Sequence, residues 1–202
     1  VKQFKLISAD AFCENIGTTD QIDALKTEAL ENWKANQGEM AFSNEGCWRS
    51  NFKYKNIDWL LVEIGKVVDT AINYYTNTDP VYTKKVEKYG LPEIEYWTNV
   101  NEPMSKNSLH SHSLHHYVAC YYIQAEGTGD LIFHNPGNLL EECHPHAPFV
   151  SRMAFSPKAG DLIVWPAWMP HETEINLSSQ QRINIAFNIR FQTPRMINNE
   201  TN

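Results

Sequence analysis

Asn107-Ser108-Leu109-His110-Ser111-His112-Ser113-Leu114-His115-His116 runs directly into Tyr117-Val118-Ala119-Cys120-Tyr121-Tyr122-Ile123, and a further histidine, His171, follows well downstream. Four of the eight histidines fall in this one stretch. On a strand, residues i and i+2 leave the same face roughly 6 to 7 Å apart, so the imidazoles of His110 and His112 converge on one ion. A solvated or tag-like loop also collects histidines, but a polar low-complexity tract does not lead straight into an apolar strand. The stretch therefore predicts a metal site at the start of a β-strand.

The remainder of the chain describes an ordinary folded protein. Its 202 residues suffice for one domain with a substantial core, and 42% hydrophobic with 20% charged residues argues against disorder. A net charge of -7 weighs against nucleic acid or a membrane surface as partner, because both draw on excess Lys and Arg. No apolar run approaches the ~18 residues of a membrane span, and Val1-Lys2-Gln3-Phe4 lacks the apolar core of a signal peptide, so a cytoplasmic setting is expected. Cys13, Cys47, Cys120 and Cys143 are scattered, with no Cys-x-x-Cys pair, and are expected to be reduced.

Residues 2–7 read as a short strand. Thr18-Thr19-Asp20-Gln21 offers a capping box, and Ile22, Leu25, Ala29 and Trp33 follow at helical spacing until Gly38. Residues 40–54, including Gly46-Cys47-Trp48-Arg49-Ser50, show no clean period and read as a surface loop with one packed Trp. Asn56 is placed to cap a second helix, whose stripe of Ile57, Leu60, Leu61, Ile64, Val67, Val68, Ala71, Ile72 and Tyr75 ends at Asp79-Pro80. From Pro92 the pattern changes to short strands at 94–101, 117–124, 131–134, 150–155, 162–165, 172–175 and 182–191, bounded by Gly, Pro, Asn or Ser. The long loop 135–148, with His134, His144 and His146 on or beside it, reads equally as a lid or an insertion.

Two strands carry further information. Pro157 to Pro166 reads as turn, strand and turn, delivering His171 as a third ligand from a different strand. Arg182 to Phe191 alternates, with Ile183, Ile185, Phe187, Ile189 and Phe191 on one face and Arg182 and Asn184 on the other. The apolar face is expected to pack under the helices. The polar face then looks into a barrel, where a buried Arg needs an anion, and a bidentate carboxylate fits a guanidinium best. An edge strand with a solvated Arg is the competing reading.

Together these residues resemble the 2-oxoglutarate- and Fe(II)-dependent dioxygenases, which carry His-x-Asp/Glu, a distal His and a following Arg on a double-stranded β-helix. The matching residues are His110-Ser111-His112, His171 and, eleven positions on, Arg182. Within the superfamily the chain is most similar to a poorly characterised group of such oxygenases from phage and marine bacteria, a likeness that extends to Gly46–Ser50. Asn99-Val100-Asn101-Glu102-Pro103 looks like the AlkB-type strand whose Asn helps hold the cosubstrate. Cys120-Tyr121-Tyr122-Ile123 resembles a prolyl-hydroxylase strand whose second Tyr, here Tyr122, reaches the cosubstrate carboxylate. Asn184 stands where many members place Ser, and His112 where most place a carboxylate. The resemblance implies His110, His112 and His171 as ligands of Fe(II), and Arg182 with Asn184, Tyr122, Asn99 and Asn101 around 2-oxoglutarate. It further implies O2 as oxidant and hydroxylation of a small-molecule or peptidyl substrate, with release of succinate and CO2.

A cupin of another class is the alternative, since His116 follows His110 and His112 where a cupin places Glu, and Gly160-Asp161 through Pro166 to His171 resembles the second cupin motif. Such a protein is an isomerase, another dioxygenase or a ligand-binding module, but it has no need of Arg182. A structural or virion protein that lost catalysis has no reason to keep three His and the Arg. The expected fold is therefore mainly β with flanking helices, a jelly-roll double-stranded β-helix. One domain spans 1–202, with helical support over about 18–76 and the β core over about 92–191.

Overall fold

The computed structural model describes residues 10–39, 43–78, 92–136 and 152–192. Along them run β1 (Phe12–Asn15), α1 (Thr19–Ala35), β2 (Asn44–Ser50), α2 (Asp58–Thr78), β3 (Pro92–Asn107), β4 (Tyr117–Gln124), β5 (Leu131–His134), β6 (Arg152–Phe155), β7 (Asp161–Pro166), β8 (His171–Thr173) and β9 (Arg182–Phe191). They form a six-stranded sheet of order β1-β7-β4-β9-β3-β2 and a three-stranded sheet of order β6-β5-β8, antiparallel throughout.

The alternation of β9 decides the layering. Ile183, Ile185, Phe187, Ile189 and Phe191 lie in one buried cluster with Leu25 and Ala29 of α1 and Leu60, Ile64, Val68 and Ala71 of α2. On the other side of the sheet, Val118, Cys120 and Tyr122 of β4 and Ile163 and Trp165 of β7 pack with Leu131 and Phe133 of β5. Helices cover one face of the large sheet and the small sheet covers the other, as the hydrophobic pattern requires.

The capping box forms: Thr18 Oγ1 accepts from the Gln21 N–H at 3.3 Å, and the Gln21 side chain accepts from the Thr18 N–H at 2.8 Å. At α2 the cap is Ile57 rather than Asn56, because the Ile57 carbonyl receives the first helical N–H groups, from Leu60 and Leu61. Ile57 is buried in the core, so packing fixes this helix entry. The expected loop around residue 47 is a strand, β2, paired with β3. A bulge between Glu45 and Cys47, at Gly46 with φ 71°, shifts the register and hides the period-2 signal. Strand β1 was not anticipated, β3 continues to Asn107, and β8 ends at Thr173. Cys13, Cys47 and Cys120 are free thiols. The strand expected at 2–7, Cys143, His144 and His146 lie outside the described residues. No helix among the described residues is long and apolar enough to cross a membrane.

Leu60 is fully buried on α2. Leu60→Ala is expected to cost ~2–5 kcal/mol in urea unfolding. Metal stoichiometry of the folded fraction should not change, because the histidines lie beyond the opposite face of the sheet. An unchanged urea midpoint would remove α2 from the core.

Candidate active site

His110 and His171 face each other across an isolated antiparallel bridge, each N–H donating to the other's carbonyl at 2.9 Å. His112 is not on a strand; its N–H donates to the Ala167 carbonyl at 2.9 Å, which brings the loop after β3 against the turn after β7. The i, i+2 geometry expected of a strand is thus replaced by two backbone anchors. Ring centroids stand 4.4 Å apart for His110 and His171, 5.0 Å for His110 and His112 and 5.2 Å for His112 and His171. One ligand nitrogen from each ring lies within 4.8 Å of the other two.

Each ring has its second nitrogen engaged. Nδ1 of His110 lies 2.7 Å from the Ser108 carbonyl, Nδ1 of His171 lies 3.0 Å from the Met169 carbonyl, and Nδ1 of His112 lies 2.7 Å from Asn188 Oδ1. All three partners are acceptors, so Nδ1 carries the proton and Nε2 is left with its lone pair, the tautomer a metal ligand needs. Burial keeps the rings neutral. It pushes His112 down to about 4, helped by the neighbouring His110 and then by His115 and Arg49, and His171 down to about 3, helped by His110 and His112; His110 is lowered for the same first reason.

The trio opens into a cavity lined also by Trp97, Asn99, Asn107, Val118, Cys120, Tyr122, Leu131, Trp165, Thr173 and Asn184. Arg182 stands directly behind it, 1% exposed. Its Nη2 donates to Thr173 Oγ1 at 2.8 Å and its Nη1 to the Thr128 carbonyl at 2.9 Å, while Nε has no partner. No carboxylate among the described residues pairs with it. Burial disfavours its charge, yet an Arg does not surrender its proton inside a protein. Tyr122 is held protonated by burial, with Cys120 adding to the effect, so its hydroxyl is a donor. Asn99 Nδ2 donates to Asn184 Oδ1 at 3.0 Å. Asn101 lies one layer back, its amide donating to Cys47 Sγ at 2.6 Å and Asn107 Oδ1 at 3.0 Å.

The other described histidines are engaged elsewhere. His116 Nδ1 accepts from the Phe191 N–H at 3.1 Å, so it is not the fourth ligand of a cupin site. His134 meets Glu172 at 2.9 Å and His115 approaches Glu95 at 3.9 Å. Sequence reasoning missed Asn188, Thr173, Trp97 and Trp165. Asn188 was legible, since it shares the inward parity of Arg182 and Asn184 on β9; Thr173 and the two tryptophans carried no local signal.

A helix-backed sheet faced by a smaller one, with a three-histidine group and a buried cation between them, is the arrangement of a jelly-roll protein with a candidate metal site. Residues 95–188 match the family model described as "Putative 2OG-Fe(II) oxygenase", so the β core is similar to the 2-oxoglutarate/Fe(II)-dependent dioxygenases, an enzyme class that uses Fe(II), 2-oxoglutarate and O2. No curated protein sequence matches the chain. Among solved structures, the prolyl-4-hydroxylase of Pseudomonas putida is similar at a TM-score of 0.66 and 15% identity, over 92% of this chain and 94% of that one. HygX from Streptomyces hygroscopicus, with nickel and 2-oxoglutarate bound, gives 0.57 and 12% over 90% and 83%. The viral collagen prolyl hydroxylase of Paramecium Bursaria Chlorella virus-1, solved as a 2-oxoglutarate complex, gives 0.56 and 12% over 90% and 94%. At such identities the likeness is one of fold.

The neutral rings set a pH dependence for the metal-free protein. In the unfolded chain a histidine takes up its proton near about 6.5, whereas folded His112 and His171 do so only at about 4 and about 3. Between these values the unfolded chain holds more protons, so stability is complete above about 6.5 and falls as the pH drops towards 3. The urea midpoint measured in chelator should decrease from pH 7 to pH 4.5, with a shallower slope in His171→Asn. A flat profile would mean that the rings are not buried neutral.

Proposed function

We propose that His110, His112 and His171 hold Fe(II), and that Arg182 with Tyr122, Asn184 and Asn99 takes the far carboxylate of 2-oxoglutarate, in an enzyme that hydroxylates a small-molecule or peptidyl substrate. The observation that carries this reading is Arg182 itself: a buried guanidinium with an unpartnered Nε and no acidic partner, backing the same cavity as three convergent imidazoles. A cation in that setting is costly unless a ligand supplies an anion. Thr173, bonded to Arg182 and lining the cavity, supports placing the anion there. Bound iron with 2-oxoglutarate and O2 supplies the oxidation, with succinate and CO2 as by-products.

The chain's own residues do the rest. Ser108, Met169 and Asn188 orient the rings, so that three Nε2 atoms would be available to hold one ion beside the cavity. Three neutral ligands leave the ion its full charge, where the more usual carboxylate would offset part of it. Tyr122 and the Asn99–Asn184 pair add neutral polar groups around a carboxylate. Val118, Leu131 and Ala186 line the same cavity with apolar surface and limit water beside the metal. The absence of Asp and Glu from the described lining residues favours an anionic cosubstrate.

Anaerobic reconstitution should yield about one Fe(II) per chain, and His171→Ala should lose it, since two ligands from one loop do not enclose an ion. Unchanged iron stoichiometry in that variant would remove His171 from the site. Iron-loaded protein should bind 2-oxoglutarate and release succinate slowly without any other substrate; no binding at millimolar concentration by calorimetry would favour the cupin alternative.

Arg182→Gln, folded and iron-loaded, should bind 2-oxoglutarate at least about tenfold more weakly, because breaking one side of a buried charged hydrogen-bonded pair costs ~2–5 kcal/mol. Arg182→Lys should recover only part of the loss, since a point charge does not reproduce the planar fork. Parental affinity in Arg182→Gln would place the carboxylate elsewhere.

A further inference from the structure

Among the described residues, four buried side-chain polar atoms have no hydrogen-bond partner: Arg49 Nε, Asn101 Oδ1, Trp165 Nε1 and Arg182 Nε. All four belong to the cavity or the layer beside it. Trp165 lines it, Asn101 donates to the lining residue Asn107, Arg182 donates to the lining residue Thr173, and Arg49 lies with Cζ 4.5 Å from the ring centre of the lining residue Trp97. Three of these atoms are N–H donors. Buried donors without acceptors are rare in native proteins, and several gathered at one cavity point to acceptors brought by ligands. The lining contains no Asp or Glu among the described residues, although the chain has 24 acidic residues against 17 basic.

One cation is accounted for by the cosubstrate. Arg49 is a second, on the other side of the site. It pairs with Asn99 across β2 and β3, and its carbonyl accepts from the Glu39 N–H at 2.7 Å, so the backbone is held from both edges of the strand. Trp97 takes one face of the guanidinium, which leaves the in-plane N–H donors for an acceptor. Trp97 also stacks with His112, centroids 6.1 Å apart at 19°, so Arg49 is one ring removed from the histidine trio. No carboxylate among the described residues forms an ion pair with Arg49. The two arginines reach in different directions: Arg182, opposite Asn101, goes to Thr173 and Thr128, whereas Arg49, opposite Asn99, goes back over Trp97. A 2-oxoglutarate held by the metal at one acid end and Arg182 at the other has no third anionic group for Arg49.

Resting on the reading above, we propose that Arg49 determines specificity by binding a carboxylate of the primary substrate, the Trp97 ring fixing its plane beside the metal centre. The substrate class is then acidic: a free organic acid, or a peptide with Asp or Glu near the residue to be oxidised.

Calorimetry on the nickel- and 2-oxoglutarate-loaded protein tests this with matched probes. N-acetyl-Asp and N-acetyl-Glu methylamides, against their Asn and Gln counterparts, represent a peptide side chain; N-acetylalanine against its methylamide represents a free acid. The charged member of at least one pair should bind about tenfold more tightly than the neutral one. That preference should vanish in Arg49→Gln and persist in part in Arg49→Lys, with 2-oxoglutarate affinity unchanged in both. A structural brace alone would not produce charge selectivity that follows the guanidinium. If Arg49→Gln does not fold, Arg49→Lys is scored alone: a reduced preference supports the proposal, and full retention overturns it. Preference surviving in Arg49→Gln, no charged probe binding at millimolar concentration, or a fall in 2-oxoglutarate affinity in that variant also overturns it. Failure of the parent to bind 2-oxoglutarate would sink the cosubstrate assignment instead, and the probe pairs are then scored on the nickel-loaded protein alone.

Discussion

The structure depends on β9 being hydrogen-bonded on both edges, to β3 and to β4. A central strand has no freedom to slip, because a shift by one residue would exchange its two faces. One face carries Ile183, Ile185, Phe187, Ile189 and Phe191 into the cluster with both helices. The other therefore holds Arg182, Asn184 and Asn188 on the inward side, where each meets a different part of the site. Hydrophobic burial on one side of the sheet thus sets the position of polar groups on the other.

Those polar groups divide their work by distance along the strand. Asn188 accepts from His112 and Asn184 accepts from Asn99, while Arg182 reaches Thr173 on the small sheet. The histidines themselves come from a loop and from β8, held by backbone bonds between His110 and His171 and between His112 and Ala167. Because every second ring nitrogen faces an acceptor, the tautomer is set before any ion arrives. Preorganisation of this kind fixes ring orientation and adds no charge, so three neutral rings would leave the charge of a bound ion uncompensated.

The same sheet also keeps two guanidiniums apart. Arg182 is enclosed between the sheets, 1% exposed and held by Thr173 and Thr128. Arg49, on the edge strand β2, is only partly buried and rests on an aromatic ring. In an acidic chain, a cavity with no Asp or Glu among its described lining residues and with cations behind and beside it is a setting that favours anions. This electrostatic contrast follows from side-chain placement and not from net charge, which points the other way.

Local pattern sufficed for much of this protein. The period-2 alternation of 182–191 specified its two faces, helical spacing specified both helix stripes, and the His-x-His run with His171 and Arg182 named the residues that come together. These features are legible because each is a repeat or a spacing within a short segment, and because an apolar face must be buried wherever it lies. Tertiary structure alone decided the rest. Whether His112 joins the trio depends on Ala167 and Asn188, which are distant in sequence, and a bulge at Gly46 concealed the strand that carries Arg49. That no acid among the described residues pairs with Arg182 also required the fold, since the lack of an acidic partner is a property of everything packed around a group, and a sequence shows only which groups exist.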